Sequence, residues 1–260
     1  MTIDTLVAAL TLPPESLLEQ RIAKQLFLEH GALTASDRHN LVDTVEGILW
    51  VAELKSANSG IPIYRDVERE YLEIAVLSLV FRAESADNSK TVSRITELVH
   101  RAIPYPVMLI SQVNSDLQLS IAHKRWSLNE AGKTVLEGDP LMVDPRNTVW
   151  SDDFISSLAF NNQNRSNFYT FYSSWESRLK RSKIAAITGF YQHSIHQEKV
   201  DLEYADYIRY TSLQKTIAEL RAAARGEPQL NKRVDMNLEI AAAERAMRDI
   251  ERRLGKPHEE

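Results

Sequence analysis

The chain has 260 residues, 43% hydrophobic and 26% charged, with no cysteine; this is globular composition, and it excludes wholesale disorder, disulfides, thiolate metal sites and cysteine nucleophiles. A formal net charge of −5 is no signature of a dedicated nucleic-acid binder, whose basic footprint dominates the domain, and leaves local basic patches open. Eight glycines are few for a large all-β protein built on tight turns.

The opening stretch MTIDTLVAALTLPP carries Asp4 and no basic lead, so it does not read as a signal peptide. No uncharged apolar run of about 18 residues follows, so no membrane span is expected and the chain reads as cytoplasmic. Pro13, Pro14 and Glu15 suit a helix entrance, and Leu17, Leu18, Ile22, Leu26 and Phe27 follow at helical spacing, with a stop at Gly31. A second helix starts near Ser36-Asp37 and carries Leu41, Val45, Ile48, Leu49 and Ala52, up to the breakers Asn58, Gly60 and Pro62. Such a pair is a helix-turn-helix reader or an antiparallel packing unit. Asp37, Asp43 and Glu46 would repel phosphates and favour packing.

Residues 67 to 81 are rich in β-branched and apolar types and predict one long strand. Residues 85 to 89 are turn-like. Val92, Ile95, Leu98 and Val99 then form a helical stripe ending before Pro104. Val107 to Val113 is an apolar run that fits a buried strand. Asn114-Ser115-Asp116 is a turn, and Leu117, Leu119 and Ile121 alternate with Gln118 and Ser120 in a further strand. Residues 129 to 133 close a hairpin whose return is Thr134 to Glu137.

From residue 151 the pattern is helical again. Phe154, Leu158, Phe168, Phe171, Tyr172 and Trp175 predict an aromatic core. Tyr210, Leu213, Ile217, Leu220 and Ala224 form one heptad seam; Met236, Ile240, Ala243, Met247, Ile250 and Leu254 form another. Gly226-Glu227-Pro228 separates them, and the economical reading is a helical hairpin or an arm gripping a partner. The tail from Gly255 to Glu260 reads as frayed. The whole predicts an α+β fold in three segments. An N-terminal helical segment (1–60) precedes a small mixed sheet with a helix (61–150), and a helical region (151–260) ends in a hairpin or coiled-coil arm.

Metal-dependent nucleases need an acid on one strand and acid-x-Lys on its neighbour. In Ala122-His123-Lys124 the lysine is present but the acid position is Ala122, while Glu68, Glu70 and Glu73 offer acids elsewhere. His193 and His196 are three apart, with Glu198 and Asp201 nearby, but no third ligand is identifiable. Gly132-Lys133-Thr134 lacks the upstream glycine of a phosphate loop, which is Ser127, and no Gly-x-Ser-x-Gly elbow exists. No catalytic residue, metal or cofactor is therefore assigned. Lys124-Arg125-Trp126 and Arg178, Lys180, Arg181 and Lys183 beside Trp175 are candidate nucleic-acid or partner contacts. Residues 176 to 233 hold eleven Lys and Arg against seven Asp and Glu, a local net of +4.

Several segments fall in a recognisable order. They are Arg21-Ile22-Ala23-Lys24 with Phe27; Trp50, Leu54 and Lys55; Ile103-Pro104-Tyr105-Pro106; Ala122-His123-Lys124; and Trp150. Together they resemble the bacterial domain-of-unknown-function family 4391 over most of residues 20 to 175. The resemblance adds Lys55 to the candidate contacts but carries no catalytic residue. It implies genomic association with helicases and DNA methyltransferases, in clusters similar to restriction or phage-defence systems. The resulting expectation is a non-catalytic accessory or adaptor subunit working with a helicase or methyltransferase. The alternative is a nucleic-acid-binding or degenerate metal-dependent nuclease subunit using Lys124 and the basic helix. A larger protein, DNA or a second copy stand as partners, and a membrane does not.

Overall fold

The computed structural model describes residues 1–30, 33–83, 89–130, 132–146, 149–193 and 196–255, the side chains of 29 and 30 excepted. The chain divides into two compact units, Met1–Leu179 and Lys180–Glu260, where the sequence suggested three segments.

The first unit is built on a mixed six-stranded sheet in the order β1-β2-β5-β6-β7-β10. Its strands are β1 (Leu17–Arg21), β2 (Val45–Lys55), β5 (Glu73–Phe81), β6 (Val107–Val113), β7 (Asp116–Ile121) and β10 (Leu141–Val143). All neighbours are antiparallel except β5 and β6, which run parallel. A parallel pair needs a crossover, and α5 (Ser89–Ala102) supplies it. Short ribbons β3–β4 (Tyr64–Arg65, Glu70–Tyr71) and β8–β9 (Lys124–Trp126, Thr134–Leu136) complete the strands.

Strand β5 is apolar along most of its length because it is covered on both faces. On one face Ala75, Leu77, Leu79 and Phe81 join Val107 and Leu109 against Ile95, Leu98 and Val99 of α5. Phe27 of α2 (Lys24–His30) and Leu41 of α3 (Ala35–Thr44) close that layer. Asp37 and Arg94 tie α3 to α5 through two bonds of 2.9 Å. That guanidinium holds the Asp37 carboxyl well below the usual carboxylate range. Elsewhere in the unit α1 (Ile3–Ala9) packs on β6 and on α6 (Ser151–Ser157). Leu6, Phe154, Leu158, Phe168, Phe171 and Trp175 are buried, as the aromatic spacing predicts, and Trp175 Nε1 donates to Leu158 O at 2.9 Å.

The expected second N-terminal helix stops at Thr44, and residues 45 to 55 are strand β2. The spacing Val45, Ile48, Leu49, Ala52 fits a helix, but the run is rich in β-branched and aromatic residues. Its place between β1 and β5 gives it two ladders, so tertiary pairing overrides the local period. Likewise Leu17 and Leu18 lie on β1 rather than on a helix, so the N-terminal segment contributes two strands. The long strand expected over 67 to 81 is broken: Asp66 Oδ1 accepts the N–H groups of Glu68 and Arg69 at 2.7 and 2.6 Å, and the β3–β4 turn forms there. The turn at 114 to 116 stands as read, with Asn114 at φ 54. Of the polar stretch 85–89 only Ser89 is described, where it begins α5, and of the tail only Gly255.

Helix α7 (Phe168–Thr188) starts in the first unit and ends in the second. The second unit continues with α8 (Gln197–Gly226) and α9 (Leu230–Leu254), a helical hairpin. Gly255 ends α9 in the left-handed conformation at φ 82, where a side chain would be strained.

Tyr172 fastens α7 to the sheet. Its hydroxyl donates to Val107 O at 2.7 Å and accepts Ala122 N–H at 2.9 Å. Tyr172→Phe leaves these buried groups without that partner, and urea unfolding should show a loss of about 1–3 kcal/mol. An unchanged midpoint would mean that the hydroxyl does not fasten the helix.

Candidate functional site

Lys124 lies at the start of β8 and is buried. Its Nζ donates to His100 O at 2.6 Å and to Ile103 O, at the C-terminal end of α5. Helix C-termini carry unpaired carbonyls and partial negative charge, which a cation satisfies. Lys24 does the same for α3: its Nζ donates to Val42 O at 3.0 Å and to Val45 O. Both lysines fall in the family-like segments, and both cap a helix end, Lys124 buried and Lys24 half-buried. Lys124 therefore has no ammonium to offer at the surface. Burial lowers its pKa to about 7. Beside it, burial and then Lys124 lower His100 to about 3, so the imidazole is neutral, with Nε2 2.9 Å from Ser120 Oγ. A hollow of about 520 Å³ adjoins this cap. Glu97, Glu130 and Asp139 oppose Arg101 and Lys133 on its walls, so it favours neither sign of ligand charge.

Arg125 and Trp126 are half-buried on β8. Arg125 donates to Trp126 O at 3.1 Å, and Trp126 N–H donates to Glu68 O at 2.7 Å. Next to them Tyr71 OH and His123 Nδ1 are 2.7 Å apart, and His123 Nε2 faces Glu176 at 3.5 Å. A Tyr–His–Glu chain suggests a proton relay, but burial raises the Tyr71 phenol far above its usual range. The phenol keeps its proton at neutral pH, and its oxygen also accepts the Lys124 N–H at 3.1 Å. Its surroundings are adhesive: Tyr64 stacks on Tyr169 at 4.9 Å, and Arg69 forks onto Glu137 at 2.8 Å.

The basic stretch on α7 is largely engaged. In the first unit Arg178 donates to Asn162 O at 3.1 Å. In the second, Lys180 pairs with Asp201 at 2.7 Å and buried Arg181 with Glu203. Lys183 is partly buried, which lowers its pKa. The four do not form an open phosphate-binding row.

Lys55 stands differently. It is on β2, directly opposite Glu73 on β5. Its Nζ lies 2.6 Å from Glu53 and 3.6 Å from Glu73. Burial, and then Glu53, raise the Glu73 pKa, while a hydrogen bond with Tyr105 opposes the rise. Glu53-Leu54-Lys55 is thus an acid-x-Lys pattern with a carboxylate on the neighbouring strand. The sequence reading missed it because it treated this stretch as the end of a helix, where positions two apart do not share a face; on a strand they do. Two carboxylates are its whole acidic donor set. Among the described residues no group of three His, Asp or Glu is placed to hold a metal, and that includes His193 and His196.

The C-terminal seams meet within the chain. Tyr210, Ile250 and Leu254 are buried together with Ile184, and Leu213 and Met247 pack against them. Tyr210 OH donates to Glu251 at 3.0 Å, Arg221 pairs with Glu244 at 2.7 Å and Arg253 with Asp206 at 2.5 Å. Ile217, Ala224 and Ile240 are also buried, whereas Met236 and Ala243 are half-buried. Among the described residues no helix is long and apolar enough to cross a membrane.

A family model described as a domain of unknown function, DUF4391, matches residues 10–247. The chain belongs to that family. No curated protein matches it, and no solved structure does. That description names no activity and no residue.

The cap can be tested by pH. Between pH 7 and 10.5 the unfolded chain keeps the Lys124 proton that the folded chain has lost, so stability from this group rises across that window. Between about 6.5 and 3 the unfolded chain protonates His100 and the folded chain does not, so stability falls as pH drops. Lys124→Met should cost about 2–4 kcal/mol at neutral pH, because two helix carbonyls lose their donor. It should also remove the alkaline rise in denaturant midpoint while leaving the acid loss. A variant as stable as the parent would refute the cap.

Proposed function

We propose that this DUF4391 protein is a non-catalytic accessory subunit of a bacterial DNA-processing system. In this reading its C-terminal hairpin grips a larger protein, of the helicase or methyltransferase kind that the family's genomic association suggests. One observation carries the reading. Lys124, Arg178, Lys180 and Arg181, which the sequence offered to phosphates, are engaged inside the chain, while the hairpin's seam is filled and α9 is still exposed on the other side. A hairpin whose seam is filled and whose outer face is open suits a docking arm.

A second reading rests on Glu53, Lys55 and Glu73. A lysine between two carboxylates on adjacent strands could position a water beside a magnesium ion held by those carboxylates. With two carboxylates and an ion-paired lysine, this set supports a degenerate site better than an active one.

Two measurements separate the readings. Purified protein incubated with DNA or RNA and Mg²⁺ should leave the substrate intact. Affinity purification from the native host should recover a stoichiometric partner, and truncation after Arg225 should release it. Mg²⁺-dependent cleavage that is lost in Glu73→Gln would overturn the accessory reading in favour of the second.

A further inference from the structure

Helix α9 carries two stripes. The seam occupies one face. On the opposite face Leu230, Val234, Leu238, Ala241, Arg245, Arg248 and Arg252 recur at spacings of 4, 4, 3, 4, 3 and 4. Leu230, Val234 and Leu238 are 63%, 47% and 64% exposed, and the three arginines are exposed as well. The stripe is therefore apolar over its first turns and basic over its last. Arg245 donates to Ala241 O at 3.2 Å, and Arg252 pairs with Asp249 at the edge of the stripe. Arg248 has no carboxylate within ion-pair reach among the described residues. With Asp249 included, the basic half keeps a local charge of +2.

The charge pattern selects among occupants. A second copy of α9 is a poor match: parallel pairing sets arginine against arginine, and antiparallel pairing sets the leucines against the arginines. DNA would use the arginines and leave the apolar half wet. A membrane surface favours an apolar stripe along the whole helix with cations flanking it, not one that ends halfway. A helix that is apolar over two or three turns and then acidic answers both halves at once, by the helix-against-helix packing that amphipathic segments use.

We propose that the outer face of α9 docks an acidic, amphipathic helical segment of a separate protein, with its apolar residues on Leu230, Val234 and Leu238 and its carboxylates on Arg245, Arg248 and Arg252. This rests on the accessory-subunit reading and names the chemistry of the partner.

The test uses the full chain and a synthetic helix of about 22 residues, long enough to span the stripe. The probe carries three leucines and then three glutamates along one face. A second peptide has lysines in place of the glutamates, and a random duplex DNA completes the set. Fluorescence anisotropy should show saturable binding of the acidic peptide that weakens with salt, and no comparable binding of the lysine peptide. Arg245→Glu with Arg248→Glu and Arg252→Glu should weaken it by about tenfold or more, as should Leu230→Ser with Leu238→Ser. Thermal melting of these variants should match the parent, because the seam is untouched. Equal binding of both peptides, or none of either, overturns the proposal. So does duplex binding that the arginine reversals abolish, or a dimer that the leucine changes dissolve. A native partner that is lost on truncation after Arg225 yet insensitive to both sets of changes would overturn this face while leaving the accessory reading in place. A protein that recovers no partner would sink both.

Discussion

A parallel pair of strands inside an otherwise antiparallel sheet creates a burden at one point: the crossover helix must end inside the molecule. Helix α5 does so beside the start of β6, with the carbonyls of His100 and Ile103 turned away from water. Unpaired, each would cost about 1–3 kcal/mol. Lys124 reaches them from the strand that follows β7. Its position explains much around it. Burial, and then Lys124, keep His100 neutral, and the Tyr71 hydroxyl joins His123 Nδ1 to the Lys124 N–H. Lys24 repeats the device at the end of α3. Two of the family-like segments thus mark places where a lysine Nζ donates to the carbonyls of a helix terminus.

This bears on how conspicuous basic residues are read. Lys124-Arg125-Trp126 has the composition of a nucleic-acid contact, and so does the cluster on α7. In the folded chain the first lysine faces backbone, and Lys180 and Arg181 face carboxylates. Sequence supplies the sign of a charge but not its partner. Partners such as Asp201 and Glu203 lie a loop and a helix away.

Where the local period and the tertiary setting agreed, the sequence was legible. Helix α5, strands β6 and β7, the turn at Asn114, the buried aromatics of α7 and the helices α8 and α9 were legible from their local periods, and the structure keeps them. Residues 45 to 55 had two readings, because a short apolar run satisfies a helix or a strand until its neighbours are known. That ambiguity also hid Glu53 and Lys55, whose relation to Glu73 exists only across a ladder. The outer stripe of α9 has no apolar repeat along its whole length, because its second half is arginine.

The strand order β1-β2-β5-β6-β7-β10 runs in the same direction as the chain itself. Each new strand joins the one most recently added to the sheet, so a ribosome emitting this protein needs no earlier strand to be held in reserve. Loop closures stay short, which favours rapid, stepwise assembly. The growing edge is always the newest strand, and it stays open to stray pairing until the next arrives. That exposure ends at β10, three residues long, while the opposite rim is the irregular five-residue β1. Both borders of the finished sheet are thus poor templates for another chain.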